Sequence, residues 1–267
     1  MRIALGVEYD GANFSGWQIQ ERGRTVQGCV EQALAQVANH EVRVHCAGRT
    51  DSGVHATGQV VHFECDAVRS DRSWVRGANA NLPDEVAVIW AKPVSDQFHA
   101  RFSAQRRRYR YVIYSRSVRP TFLARRVTWD YRPLDIERMQ AAANHLLGEH
   151  DFSSYRACGC QAKSPVRTVH ELNIHKSIQS QSGEHGEFIM VDIEANAFLH
   201  HMVRNVVGVL SAIGAGEQPV DWSREVLEQR DRKLGGVTAP PYGLYLVGVE
   251  YPEKFGIPYL SPSQMVW

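Results

Sequence analysis

The chain has 267 residues, 43% of them hydrophobic and 22% charged, with a formal net charge of +1; it reads as an ordinary soluble globular protein of one large domain or two smaller ones. No stretch approaches the roughly 18 apolar residues that a bilayer crossing needs, and Met1-Arg2-Ile3-Ala4-Leu5 enters an alternating strand without a signal-peptide core. A cytoplasmic location with no membrane association is therefore expected, and five scattered cysteines (Cys29, Cys46, Cys65, Cys158 and Cys160) fit reduced thiols better than a disulfide framework.

Ile3, Leu5, Val7 and Tyr9 alternate with Arg2, Ala4, Gly6 and Glu8, the period of a strand with one buried face. Val26, Val30, Leu34 and Val37 follow at helical spacing behind Thr25 as N-cap. Apolar runs at 42–46, 58–64 and 86–90 predict strands, with a helix near 71–80 before the last. A strand is expected at 109–114, then a helix from Asp135 to Leu147, capped by Asp135 and stopped by Gly148. Strands near 168–175 and 187–194, helices near 198–213 and 222–230, and a strand at 244–250 complete the chain. Two passes of β-α-β-β-α-β predict an α+β protein of two ferredoxin-like units with antiparallel or mixed sheets, divided as 1–105 and 106–267.

Two segments carry unusual chemistry. In Gly48-Arg49-Thr50-Asp51-Ser52-Gly53-Val54-His55-Ala56-Thr57 one carboxylate sits between two glycines with an arginine two positions before it. The glycines permit a tight, backbone-exposed turn, and Arg49 is expected to hold Asp51 as an anion. Asp-Ser-Gly is also ordinary turn chemistry, so the loop alone does not assign a role. From Gln97 to Trp129 there is no Asp or Glu, yet nine arginines occur, among them Arg106, Arg107, Arg108 and Arg110. Interleaved with Tyr109, Tyr111 and Tyr114, they predict contacts to RNA phosphates and unstacked bases.

These segments, with Phe14-Ser15-Gly16-Trp17-Gln18, Phe98-His99-Ala100-Arg101-Phe102-Ser103-Ala104, Asp151-Phe152-Ser153-Ser154, Phe198-Leu199-His200-His201-Met202-Val203-Arg204-Asn205 and Gly243-Leu244-Tyr245-Leu246-Val247, resemble the tRNA pseudouridine synthase A family along nearly the whole length. The resemblance implies two ferredoxin-like halves whose sheets meet at a central active-site cleft, a homodimer, tRNA as partner, and isomerisation of uridines 38, 39 and 40 in the anticodon arm. It implies Asp51 as the catalytic carboxylate, Tyr109 as the ring under the flipped uracil, and Arg204 as the partner of Asp51, with Arg49 competing for that place. Leu244 or Leu246 would pack under the site. His200 and His201 are read as packed or RNA-contacting residues, and Tyr111 as core.

The rearrangement exchanges one glycosidic bond for another without redox change or group transfer, so no cofactor is expected. No metal is expected either: Cys158-Gly159-Cys160 is too sparse for zinc. His62-Phe63-Glu64 matches half of a zinc deaminase signature, but no Pro-Cys-x-x-Cys occurs. A pure RNA-binding module would leave Asp51 without a purpose.

Overall fold

The computed structural model describes residues 1–177 and 186–259. In chain order these form β1 (Arg2–Tyr9), α1 (Val26–Ala38), β2 (His45–Cys46), β3 (His55–Glu64), α2 (Asp71–Asn81), β4 (Val86–Val94), β5 (Arg106–Ser115), β6 (Thr128–Asp130), α3 (Ile136–Asn144), β7 (Gly148–Asp151), β8 (Val166–Lys176), β9 (Glu187–Ala195), α4 (Met202–Gly214), α5 (Trp222–Gln229) and β10 (Leu244–Glu250). The content is α+β. Two units result among the described residues, one of Met1–Arg107 with 245–259, the other drawn from Arg108–Leu244. The sequence reading divided the chain at 105 and kept the last strand with the second unit. Residues 178–185 and 260–267 of that expected unit lie outside the described residues.

In the first unit the strands run β4-β1-β3-β10, with β2 on β3. β1 is antiparallel to both neighbours, while β10 joins β3 in parallel through Tyr245 opposite His55 and Leu246 opposite Ala56. The alternation of β1 predicted one buried face, but Ala4 and Gly6 are buried as well as Ile3, Leu5 and Val7, so both faces are covered. Thr25 caps α1 by accepting from Gly28 N, and Ser70 caps α2 by accepting from Ser73 N. α1 and α2 pack together, and Trp74 of α2 meets Phe63 of β3 edge to face, with centroids 5.1 Å apart.

In the second unit the order is β5-β9-β8-β7, with β6 parallel to β5. Asp135 caps α3 by accepting from Glu137 N and Arg138 N. α4 buries Val203, Val206, Val207, Val209, Leu210 and Ile213, which anchors it to this unit at about 1.5–3 kcal/mol for each side chain withdrawn from water.

Several boundaries differ from those expected. The 42–46 run supplies only the two residues of β2, because the Val44 amide donates to Glu31 Oε1 and its carbonyl accepts from Gln27 Nε2. Helix side chains occupy the groups that a strand would have offered. The helix expected from 198 begins at Met202, after His201 adopts a left-handed conformation with φ 61°. α3 stops at Asn144, and Gly148, at φ 93°, opens β7. β6 and β7 have three and four residues and no apolar alternation, so no period announced them.

Candidate active site

The loop that carries Asp51 belongs to the first unit and is gripped from three directions. Gln59, fully buried on β3, donates from Nε2 to Gly48 O at 2.7 Å and accepts from Gly48 N at 3.4 Å. Thr50, also buried, shares a 2.8 Å hydrogen bond with the Tyr9 hydroxyl, and its carbonyl accepts from Trp17 N at 3.0 Å. Ser52 Oγ donates to Phe14 O at 3.1 Å, and Val54 N closes the turn onto Asp51 O at 3.1 Å, with Gly53 at φ 80°. The backbone on both sides of Asp51 is thereby fixed, while its side chain stays half-buried.

Two glycines let the chain after β1 approach this closely. A Cβ on Gly11 would stand 1.9 Å from Val54 O, and one on Gly16, at φ 91°, 2.8 Å from Thr50 O. His55, at the start of β3, accepts from Gly11 N at 3.1 Å, lies the same distance from Asp10 Oδ1, and stacks on Tyr245 of β10 with centroids 4.6 Å apart. Sequence reasoning named Asp51 but gave no part to Tyr9, Gly11, Gly16, His55 or Gln59. Gly16 and His55 fell within quoted motifs. Their role needed tertiary contacts to become visible.

Arg49 is exposed and has no carboxylate within 4.0 Å among the described residues, so it does not form the ion pair with Asp51 that the spacing suggested. Its field falls on Cys46 instead, where burial outweighs it and pushes the thiol up to about 12.

Tyr109, Arg204, His200 and His201 belong to the second unit. Tyr109 is buried on β5 and meets Phe198 edge to face, with centroids 5.0 Å apart. Tyr111 is core, as expected: its hydroxyl hydrogen-bonds Thr128 Oγ1 and donates to Pro240 O, and burial raises its phenol above the ordinary range. Arg204 on α4 is half-buried. Its Nε donates to Ala239 O at 2.8 Å while Ala239 N donates to Arg204 O at 3.1 Å, a reciprocal clasp that fixes the stem of the side chain. His200 and His201 lie just before α4 with ring centroids 4.0 Å apart. Leu244 and Leu246 are both buried, in the second and first units respectively.

The arginines at the start of β5 are not the free cations their sequence suggested. Arg108 donates to Glu194 Oε2 at 2.6 and 3.0 Å and to Glu171 Oε2 at 3.2 Å, and Arg110 forms a bidentate pair with Asp192 at 2.7 and 2.8 Å. Arg106 faces Glu250 at 3.7 Å, and Arg107 donates to Ala47, Arg101 and Ala104 carbonyls. A segment without acids has its acids supplied by β8, β9 and β10. His62 of the deaminase-like triplet is buried on β3 beside His45 and His99, while Glu64 is exposed and paired with Arg2. Burial first, then the neighbouring His99 and His45, pulls the His62 imidazole down to about 3.

A family model described as tRNA pseudouridine synthase matches residues 6–103 and 142–252. The chain is 58% identical over 267 residues to the tRNA pseudouridine synthase A of Nitrosococcus oceani, covering 100% of both chains. It is 57% identical to those of Alcanivorax borkumensis and Pseudomonas aeruginosa, with 96% and 98% of this chain and 94% and 90% of theirs covered.

Proposed function

The chain belongs to the tRNA pseudouridine synthase family and is an isomerase of uridine in tRNA, and we propose that its targets are uridines 38, 39 and 40 of the anticodon stem-loop. In the reaction the bond from C1′ to N1 breaks, the uracil turns, C1′ joins C5, the C5 proton leaves and N1 is protonated. Asp51 supplies the carboxylate at the ribose, either attacking C1′ or removing the C2′ proton. Tyr109 stacks on the loosened uracil and takes part in proton removal from C5. Arg204 keeps the reacting carboxylate charged, and Arg49, exposed beside the loop, holds the substrate backbone. His200 and His201 contact the RNA. The same reading carries two ferredoxin-like units, one with the aspartate loop and the other with the tyrosine and arginine, a homodimer, and a cytoplasmic location.

The observation that supports this reading is the bracing of the Asp51 loop. Gln59, Thr50, Trp17 and the close-fitting Gly11 and Gly16 fix the backbone of a residue whose side chain stays partly open. A fixed carboxylate is what attack at one carbon of a flipped nucleotide requires. Three adjacent targets favour recognition of tRNA shape through the backbone over readout of base edges. The test is tritium release from tRNA carrying 5-tritiated uridine, followed by mapping of the modified positions. Release confined to 38, 39 and 40, absent from folded Asp51→Asn, is the expected result; modification elsewhere overturns the position, and an active Asp51→Asn overturns the site.

A further inference from the structure

The second unit holds an open pocket of about 270 Å³ whose lining includes Arg156, Arg230, Arg232 and Asp231 together with Cys158 and Cys160. None of these residues has a role in the chemistry assigned above. The three arginines come from two stretches of chain, one after β7 and one after α5.

Their partners differ from those of the β5 arginines. Arg232 donates from Nη2 to Asn205 Oδ1 at 3.0 Å and to Thr238 Oγ1 at 2.9 Å, both neutral acceptors. Asn205 is itself buried and locked: its Nδ2 donates to Tyr155 O at 2.7 Å, and its Oδ1 also accepts from Thr238 at 2.7 Å. Arg232 is therefore fixed by neutral groups and has no carboxylate within 4.0 Å among the described residues. Arg156 has no carboxylate within 4.0 Å among the described residues, and Arg230 only approaches Asp151 at 3.8 Å. Asp231 turns its carboxylate to the Lys233 amide, capping the short helical turn there. Burial alone would raise the Asp151 carboxyl, but hydrogen bonds from Ser153 and the fields of Arg230 and Arg156 outweigh it and hold it below the ordinary range.

Three arginines that line one pocket, one of them held by neutral acceptors, outnumber the two nearby carboxylates, Asp151 and Asp231, and a planar guanidinium matches the tetrahedral oxygens of a phosphate. We propose that this pocket seats a backbone phosphate of the tRNA, a contact that positions the RNA and carries no sequence information. The inference rests on tRNA being the substrate.

The experiment measures binding of a tRNA transcript across a salt series for the parent, Arg156→Ala, Arg230→Ala and Arg156→Lys, with folding checked by thermal melting. It is paired with alkylation of the exposed Cys158, read by peptide mass. The expected result is a slope of log K against log salt reduced by about 0.7 to 0.9 units in each alanine variant and retained in Arg156→Lys. In the parent, tRNA should slow Cys158 alkylation, and high salt should restore it. Unchanged slopes in both folded alanine variants overturn the proposal. So does broadening of the inorganic phosphate ³¹P signal by the parent, relieved in Arg156→Ala, when tRNA leaves Cys158 unprotected; that outcome makes the pocket a free-anion site. Tritium release by the parent is scored separately: its absence defeats the isomerase reading, while its presence with unchanged slopes defeats the pocket alone.

Discussion

The Asp51 loop and the start of β5 treat charge in opposite ways. Around Asp51 the backbone is fixed by neutral groups, the Gln59 amide, the Tyr9 and Thr50 hydroxyls and the Trp17 amide, so that no ion pair within the first unit is needed to hold its shape. On β5 the charges themselves do the fixing, since Arg108 and Arg110 tie β5 to Glu194 and Asp192 of β9. One region fixes the backbone around a charged residue with neutral hydrogen bonds; the other uses charge as cross-strand structure. Residue type alone therefore does not tell how a charge is used.

The sharpest way to break this comparison is at Asp51. Asp51→Asn is nearly isosteric, and since the loop is held by its neighbours, the melting temperature and tRNA affinity should change little. Tritium release should fall by several orders of magnitude, a loss confined to the transition state. A large drop in stability would show that the carboxylate holds the loop after all. On β5 the opposite pattern is expected. Arg110→Met leaves Asp192 without its counterion in a largely buried place and should cost about 3 kcal/mol in urea unfolding. Adding Asp192→Leu should restore most of that loss; if it does not, packing rather than charge compensation sets the stability.

Gln59→Leu tests the neutral brace. It leaves both backbone groups of Gly48 without their buried partner, and a cost of about 1–3 kcal/mol is expected. Since the loop then loosens, kcat should fall more than KM rises; an unaltered kcat would mean that Gln59 is structural only.

A buried neutral imidazole in the first unit also predicts acid sensitivity. His62 Nδ1 accepts from Ala100 N at 3.1 Å, and the imidazole is held neutral far below the ordinary 6.5 by burial, with His99, His45 and Arg2 adding to the effect and Glu64 opposing it. Between about 6.5 and 3 the unfolded chain binds a proton here that the folded chain does not, so stability falls as pH falls through that window. From pH 7 to pH 5 the loss should be about 1–2 kcal/mol, and His62→Asn should flatten it; an equally steep profile in that variant would place the titration elsewhere. The smallest effect is expected at Arg108: because Glu194 and Glu171 already engage it, Arg108→Ala should leave the salt slope of tRNA binding nearly unaltered. A loss of a full unit would mean that RNA displaces the carboxylates.

What the sequence could and could not convey follows the same division. Local signals were legible: the alternation of β1, the caps at Thr25 and Asp135, and the glycine-bracketed Asp51 all act within a few residues. Signals that depend on a distant strand were not. Arg110 and Asp192 are 82 residues apart in the chain, so the basic run looked unopposed. The apolar pattern through Phe198 and Leu199 extended the expected α4, and only the left-handed backbone at His201 shows where it begins. Val44 looked like a strand residue until α1 was seen to use its amide and carbonyl.

The stacking of Tyr245 on His55 and the parallel pairing of β10 with β3 have a consequence in time. The aspartate loop leaves the ribosome early, but the ring and strand that cover the end of its motif emerge only after the whole second unit has been synthesised. At ordinary elongation rates that interval is on the order of ten seconds. Throughout it the nascent first unit lacks one of its strands, so a polypeptide released before Tyr245 would carry every residue of the aspartate motif and still be without the partner that seats His55.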